Sequence, residues 1–385
     1  MKHPLYCFLL LCCFAACRKD VEVFPAEEEQ ISGPEPAGIA GFYLLNEGNM
    51  GSNKATLDYC NLETGDYHRN LYAEANPGVP KELGDVGNDL RIYGSKLYAV
   101  INCSNKIEVM DALTTRRLGQ IDLPNCRYIR FCEGSAYVTS YAGPVEVNPE
   151  YRQRGFVARI DTATLQETGR CLVGYQPEEL EIAGNKLYVA NSGGYRFPNY
   201  ENTISVIDLA SFTEIRRMEV AINLHRLRAD RHGNLWVTSR GDYYTKTSRL
   251  YRVDTTGDVP ADSLSVAVSN FWLAGDSLYL IGMQWNPVSL TDEPVYSIVD
   301  VVGKTIVSRN FITDGSERSI RTPYGIAVHP QTGDIYLTDA RNHISPGVLY
   351  CFGRDGRQKW NVRTGDIPAH FAFLFRTASA PSPGL

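Results

Sequence analysis

The sequence lacks a concentration of Lys and Arg: its formal charge is −6 and its pI is near 5.7. A nucleic-acid backbone, which needs clustered cations, is excluded as a partner. It lacks GxSxG, HExxH, GxGxxG and a phosphate loop, so the common fingerprints of hydrolases, zinc proteases and nucleotide enzymes are missing. It lacks a CxxC pair, which removes the usual zinc-ribbon and dithiol redox readings. The apolar run from Leu5 to Phe14 is too short for a membrane span, which takes roughly twenty residues.

What is present begins with that run. Lys2, the apolar stretch and the small residues after it have the order of a secretory signal. Phe14-Ala15-Ala16-Cys17 resembles the lipobox of bacterial lipoproteins, in which the cysteine becomes the lipidated first residue. Several acyl chains on Cys17 would anchor the chain permanently, at about 0.8 kcal/mol per buried methylene. Residues 1–16 are then a signal peptide and 17–40 a lipidated cysteine with a flexible linker, Pro-rich and carrying Glu27, Glu28 and Glu29 in a row. Asp20 and Glu22 also resemble a surface-export signal. Of the ten cysteines, Cys60, Cys103, Cys126, Cys132, Cys171 and Cys351 remain in the body. Their irregular spacing leaves both disulfides and buried free thiols open.

Repetition dominates the rest. Seven runs centre on an aromatic: GFYLL, KLYAV, SAYVT, KLYVA, NLWVT, SLYLI and DIYLT. Each is followed by a second run, five of which end in Asp (IEVMD, VARID, ISVID, LYRVD, YSIVD), and then by turn residues and a third strand. A further strand precedes six of them. The first repeat lacks its own, and AHFAFL, 369 to 374, is left over at the far end. The expectation is an all-β, seven-bladed β-propeller over 41–375, its first blade closed by the C-terminal strand, with a tail at 376–385. Closure would leave no long exposed sheet edge.

A propeller sorts its connections. With strands A to D running from the axis outwards, the B–C loops and D–A connections share one face, and the short A–B turns lie on the other. The insertions fall on the B–C loops, among them NEGNMGSNKAT, NSGGYRFPNYENT, SRGDYYTKTS and GMQWNPVSLTDEP. Variable loops on a rigid scaffold are where binding resides. These loops carry Tyr141, Tyr151, Tyr195, Phe197, Tyr200, Tyr243, Tyr244 and Trp285, rings that suit a surface half apolar and half wet. Asn49 and other loop asparagines offer amide donors and acceptors. Nearer the axis, Asn88, Arg127, Glu178, His225, Arg226, Asn270, Tyr324 and His370 would surround the channel mouth. About half the rings and amides are expected to serve packing and turn geometry instead.

The stretches LLNEGNMGSNKATLDYCNLETG, YVANSGGYRFPNYENTISVIDLASF and TPYGIAVHPQTGDIYLTDARNHISPGVLYCF, with the closing TGDIPAHFAF, resemble the YncE-like surface propellers of Bacteroides-type bacteria, and among them the BtuG-like lipoproteins. The resemblance covers about residues 41 to 375. It implies a lipid-anchored protein of the cell outer membrane that captures cobalamin (vitamin B12) and passes it to a TonB-dependent transporter. Cobalamin would be cargo; no cofactor is implied. Two alternatives remain open: a propeller that binds a glycan, peptide or protein, and a propeller lactonase or lyase. The second would use His225 or His370, or a cation held by Asn88, Glu178 and Asn270. With no catalytic motif in the chain, a non-enzymatic role is the expectation.

Overall fold

The computed structural model describes residues 26–33, 38–80 and 82–376. The segment expected to be a signal peptide, Cys17 and the tail beyond Arg376 lie outside the described residues. The chain forms seven antiparallel sheets, six of four strands and one of five. The innermost strands are Gly87–Tyr93, Cys126–Cys132, Pro177–Ala183, Leu224–Ala229, Asn270–Ala274 and Pro323–Val328, and blade one takes its own from the far end of the chain, Pro368–Phe375. That closing strand pairs with Ile39–Asn46, setting Phe42 opposite Phe373 and Leu44 opposite Phe371. The seven-bladed propeller expected from the repeats, with its terminal closure, is the observed fold.

The aromatic of each second strand packs between blades. Tyr43, Tyr98, Tyr137, Tyr188, Trp236, Tyr279 and Tyr336 fall one in each of seven apolar clusters, and each cluster bridges two neighbouring blades. The last of them joins blade seven to blade one, through Tyr336, Leu349, Phe42 and Leu44. A ring is thus used where two twisted sheets face each other and a large flat side chain fills the gap. The recurrent Asp at the end of the third strand has a local cause. The Leu113 and Thr114 amides donate to Asp111 at 3.1 and 2.9 Å, and the Ala163 and Thr164 amides to Asp161 at 3.0 and 2.7 Å. Asp208, Asp254 and Asp300 accept from turn amides in the same way. The acid starts the C–D turn and has no part in a site.

Three segments differ from expectation. Glu27–Gln30, read as linker, is a strand that pairs with Asp66–Arg69 on the outer edge of blade one. Arg69 there forms ion pairs with Glu27 and Glu29. An open edge offers unpaired amides and carbonyls, and this basic strand draws an acidic one that carries no apolar signal. Residues 71–75, Leu71–Ala75, form a short α-helix between blades one and two, with Tyr72 buried. The blade-six insertion is a hairpin rather than a loop: Ser277–Asn286 and Thr291–Asp300 pair without a break as far as Asn286 and Thr291. All six cysteines of the body are free thiols.

Candidate ligand-binding face

The D–A connections deliver the first residues of each inner strand to the channel mouth, and there the polar side chains meet in three groups. Glu178, on blade four, accepts from Arg127 Nη2 at 2.9 Å, from Arg240 Nη1 at 2.9 Å and from the Tyr141 hydroxyl at 2.7 Å. Arg127 also lies 4.8 Å from the centre of the Tyr141 ring, a cation–π contact that adds to the pair. Glu47, at the start of the blade-one B–C loop, accepts from the Tyr324 hydroxyl at 2.8 Å and meets His370 Nε2 at 3.1 Å. Tyr128 links His225 Nε2 at 2.9 Å and Arg226 Nη1 at 3.2 Å through its hydroxyl. Asn88 donates to the Arg127 carbonyl at 2.6 Å and Asn270 to that of Tyr324 at 3.0 Å.

Charge decides the protonation of these groups. Burial by itself would push the Glu178 carboxyl up, but Arg127 and Arg240 outweigh it and hold the group at about 2. Burial drives His225 well below its ordinary value, and Arg240, Arg226 and Arg127 add to the effect. Neutral His225 can therefore accept the Tyr128 proton at Nε2, while Arg226 donates to the same oxygen. The fold refuses a proton that the unfolded chain takes up below pH 6.5. Stability from this source is complete above that value and falls on acidification, by up to about 1.4 kcal/mol per pH unit. Between pH 6.5 and 5, melting temperature should fall less steeply in His225→Gln than in the parent; identical slopes would rule this histidine out as a source.

Below the mouth lies a second charged layer on the inner strands. Arg130 reaches Asp89 at 3.1 Å, Glu179 at 2.7 Å and Glu181 at 3.4 Å. Arg228 also pairs with Glu179, whose other oxygen accepts the Leu227 amide at 2.8 Å. This layer fixes the inner strands of blades two to five against one another.

Around the mouth stands an apolar rim. Met50, Val147, Phe197, Tyr243, Tyr244, Trp285, Val288, Leu290 and Ile344 are all exposed, and all lie on B–C insertions, of blades one, three, four, five, six and seven. The other exposed large apolar side chains lie on outer strands, on C–D turns or at the C-terminal strand end. Phe197 meets Tyr200 at 6.0 Å and Tyr244 at 5.9 Å between ring centres, so the insertions of blades four and five share one ring cluster. The blade-four insertion is tied to that of blade three by the Asn148 amide, which donates to the Tyr195 carbonyl at 2.8 Å. Gly241 shapes the blade-five insertion: at φ +69° a Cβ there would lie 1.8 Å from the Lys246 carbonyl oxygen, so only glycine fits.

The expected site residues thus divide. Phe197, Tyr200, Tyr243, Tyr244 and Trp285 are on the rim, although among the described residues no ring contact joins Trp285 to the Phe197 cluster. Tyr141, expected as part of an exposed wall, is 1% exposed and is bound into the Glu178 group; Tyr195 packs edge-on against it at 6.2 Å. Arg127, His225, Arg226, Tyr324, His370, Asn88 and Asn270 form the floor, mutually bonded. The Asn49 carbonyl accepts the Ser52 amide at 2.9 Å in a turn, and Asn191 is wholly buried in bonds to Thr203 and Ser205. Asn88, Glu178 and Asn270, considered as cation ligands, are each engaged with protein partners. Among the described residues no three His, Cys, Asp or Glu side chains converge on a metal position. Glu47, Tyr128 and Arg240 belong to these groups but were not among the residues that the sequence singled out. Glu47 and Arg240 lie inside the B–C insertions and Tyr128 follows Arg127, and only the pairing across blades reveals their part.

A family model described as a domain of unknown function, DUF5074, matches residues 40–357. The chain belongs to the DUF5074 family. That match spans the propeller from its first blade into the outer part of its seventh. No curated protein matches the DUF5074 chain. Among solved structures it is similar to Kuenenia stuttgartiensis hydrazine synthase, at 16% identity and a TM-score of 0.56, over 70% of this chain and 77% of that one. It is also similar to a chain of the mitotic checkpoint complex, at 10% identity and a TM-score of 0.51, over 71% and 78%. At such identities the likeness is one of fold alone.

Proposed function

We propose that this DUF5074 chain is a non-enzymatic binding protein of the bacterial outer membrane. Anchored through lipidated Cys17, it captures cobalamin on its B–C loop face and yields it to a TonB-dependent transporter. The observation that carries the reading is the distribution of exposed apolar side chains: six insertions contribute to one rim around a polar, hydrogen-bonded floor. Cobalamin is a broad disc with amide-bearing edges, so its capture calls for wide apolar contact and dispersed donors and acceptors. The floor supplies fixed polar groups, which lowers the cost of ordering them on binding. The B–C connection of blade two, residues 102–105, is short and carries no exposed apolar side chain; it leaves a low side through which a bulky ligand can enter or leave.

The test is direct. Protein from residue 18 onward, mixed with cyanocobalamin at micromolar concentration, should carry the red chromophore with it through a sizing column. A colourless protein peak would overturn the cobalamin reading. Retention of an oligosaccharide in the same experiment would favour a glycan as the ligand of this face.

A further inference from the structure

The opposite face holds a cavity that the loop-face reading does not use. It has a volume of about 700 Å³ and opens among the A–B turns of blades six and seven and the closing strand of blade one, within the size range of small-molecule sites. Its apolar wall is built from Trp272, Phe371 and Phe373, with Trp272 and Phe373 edge to face at 6.0 Å. Two cations border it. Arg91 lies at the inner end, where its carboxylate partners are shared: Asp89 at 3.3 Å and Glu179 at 3.7 Å also hold Arg130. Its buried Nε meets Asp89 Oδ1 at 3.3 Å without hydrogen-bond geometry. Burial, followed by the repulsion of Arg130, brings the Arg91 guanidinium down to about 10, the mark of a cation whose charge is incompletely balanced. Arg354, at the rim, extends over Gly333 and has no ion-pair partner among the described residues. The Asp276 carboxylate that also borders the opening is already taken by Arg231 and by His232 at 2.8 Å. The His329 ring stands 5.9 Å from Phe373; its Nδ1 accepts the Gln331 and Thr332 amides at 3.2 and 3.0 Å, so its proton sits on Nε2 as a further donor.

We propose that this cavity is a second binding site, distinct from the loop face, for a small aromatic carboxylate, whose rings lie on Trp272 and Phe373 and whose carboxylate meets Arg354 at the rim, with Arg91 keeping the inner end cationic. An arginine beside an aromatic wall selects an amphipathic anion over its neutral counterpart, because the guanidinium binds the carboxylate with charge-assisted hydrogen bonds.

Calorimetry with 1-naphthylacetate and its uncharged twin 1-naphthylacetamide tests this on the full-length body. The acid should bind one to one, and the amide about tenfold more weakly. Ala274→Trp, which places a ring in the cavity, should remove binding. Arg354→Glu, on an exposed turn that the fold does not depend on, should weaken the acid about tenfold and leave the amide unchanged. The loop-face triple variant Phe197→Ala, Tyr244→Ala, Trp285→Ala should bind both probes as the parent does. No binding at 1 mM, equal affinities for acid and amide, indifference to Arg354→Glu, or loss in the triple variant would each overturn the proposal. None of these outcomes bears on cobalamin capture at the other face.

Discussion

Replacing Glu179 by Gln should destabilise the protein by about 3–5 kcal/mol, the range for breaking a buried ion pair from one side. Glu179 is wholly buried and is the shared partner of Arg130, Arg228 and Arg91. The substitution keeps the volume and one acceptor for the Leu227 amide, so the loss reports charge. Three guanidinium groups would then depend on Asp89 and Glu181, and the inner strands of blades two to five carry all of them. Burial opposes ionisation of Glu179, but Arg228 and Arg130 hold its carboxyl far below the ordinary 4.5. Its contribution is therefore full above pH 4.5 and is lost as pH falls toward the folded-state value. Chemical denaturation should show the full difference at pH 7 and a shrinking one below pH 4.5. Adding Arg228→Met to the Gln variant should restore part of the loss, because it removes one of the stranded cations. A difference under about 1 kcal/mol at pH 7 would mean that water or Asp89 compensates, and that the layer is not what fixes the axis.

That layer lies between the two faces. Asp89, Arg91 and Arg228 line a narrow axial space together with Arg226, Asn270 and His370 of the floor, and Arg91, Trp272 and Phe371 also line the cavity on the turn side.

The fold was legible because its signal is repeated. An aromatic recurs in each second strand since each blade interface needs one, and an Asp ends five of the seven third strands since the C–D turn needs an acceptor, a part that Asn61 plays in blade one; the repetition makes either pattern plain. The strand Glu27–Gln30 was not legible, because it is held by edge pairing and charge and buries nothing apolar. The site was legible in part. Tyr243, Tyr244 and Trp285 could be placed by loop length alone, since length tells which face a residue joins. Whether a ring on that face is free or buried depends on cross-blade partners: Tyr141 turns inward because Glu178, from the next blade, accepts its hydroxyl. Glu47 and Arg240 were invisible for the same reason, each being defined by a partner from a distant part of the sequence.

The loop-face triple variant Phe197→Ala, Tyr244→Ala, Trp285→Ala should abolish ligand capture, with a loss of roughly a hundredfold or more, and leave the melting temperature within about one degree of the parent. The two halves of that expectation have different origins. Tyr244 is 79% exposed, Trp285 56% and Phe197 40%, so little area is lost from the folded core when they are cut back. A ligand disc lying on the rim would cover all three, and buried aromatic anchors account for most of the energy of such contacts. Tyr141→Phe is the contrasting variant. It removes one donor from buried Glu178 and should lower stability by about 1–3 kcal/mol while leaving the rim intact. If the triple variant loses stability together with binding, the rings are caps on the blades. If Tyr141→Phe alone weakens capture at unchanged stability, the ligand reaches past the rim to the Glu178 group, and recognition rests on the floor.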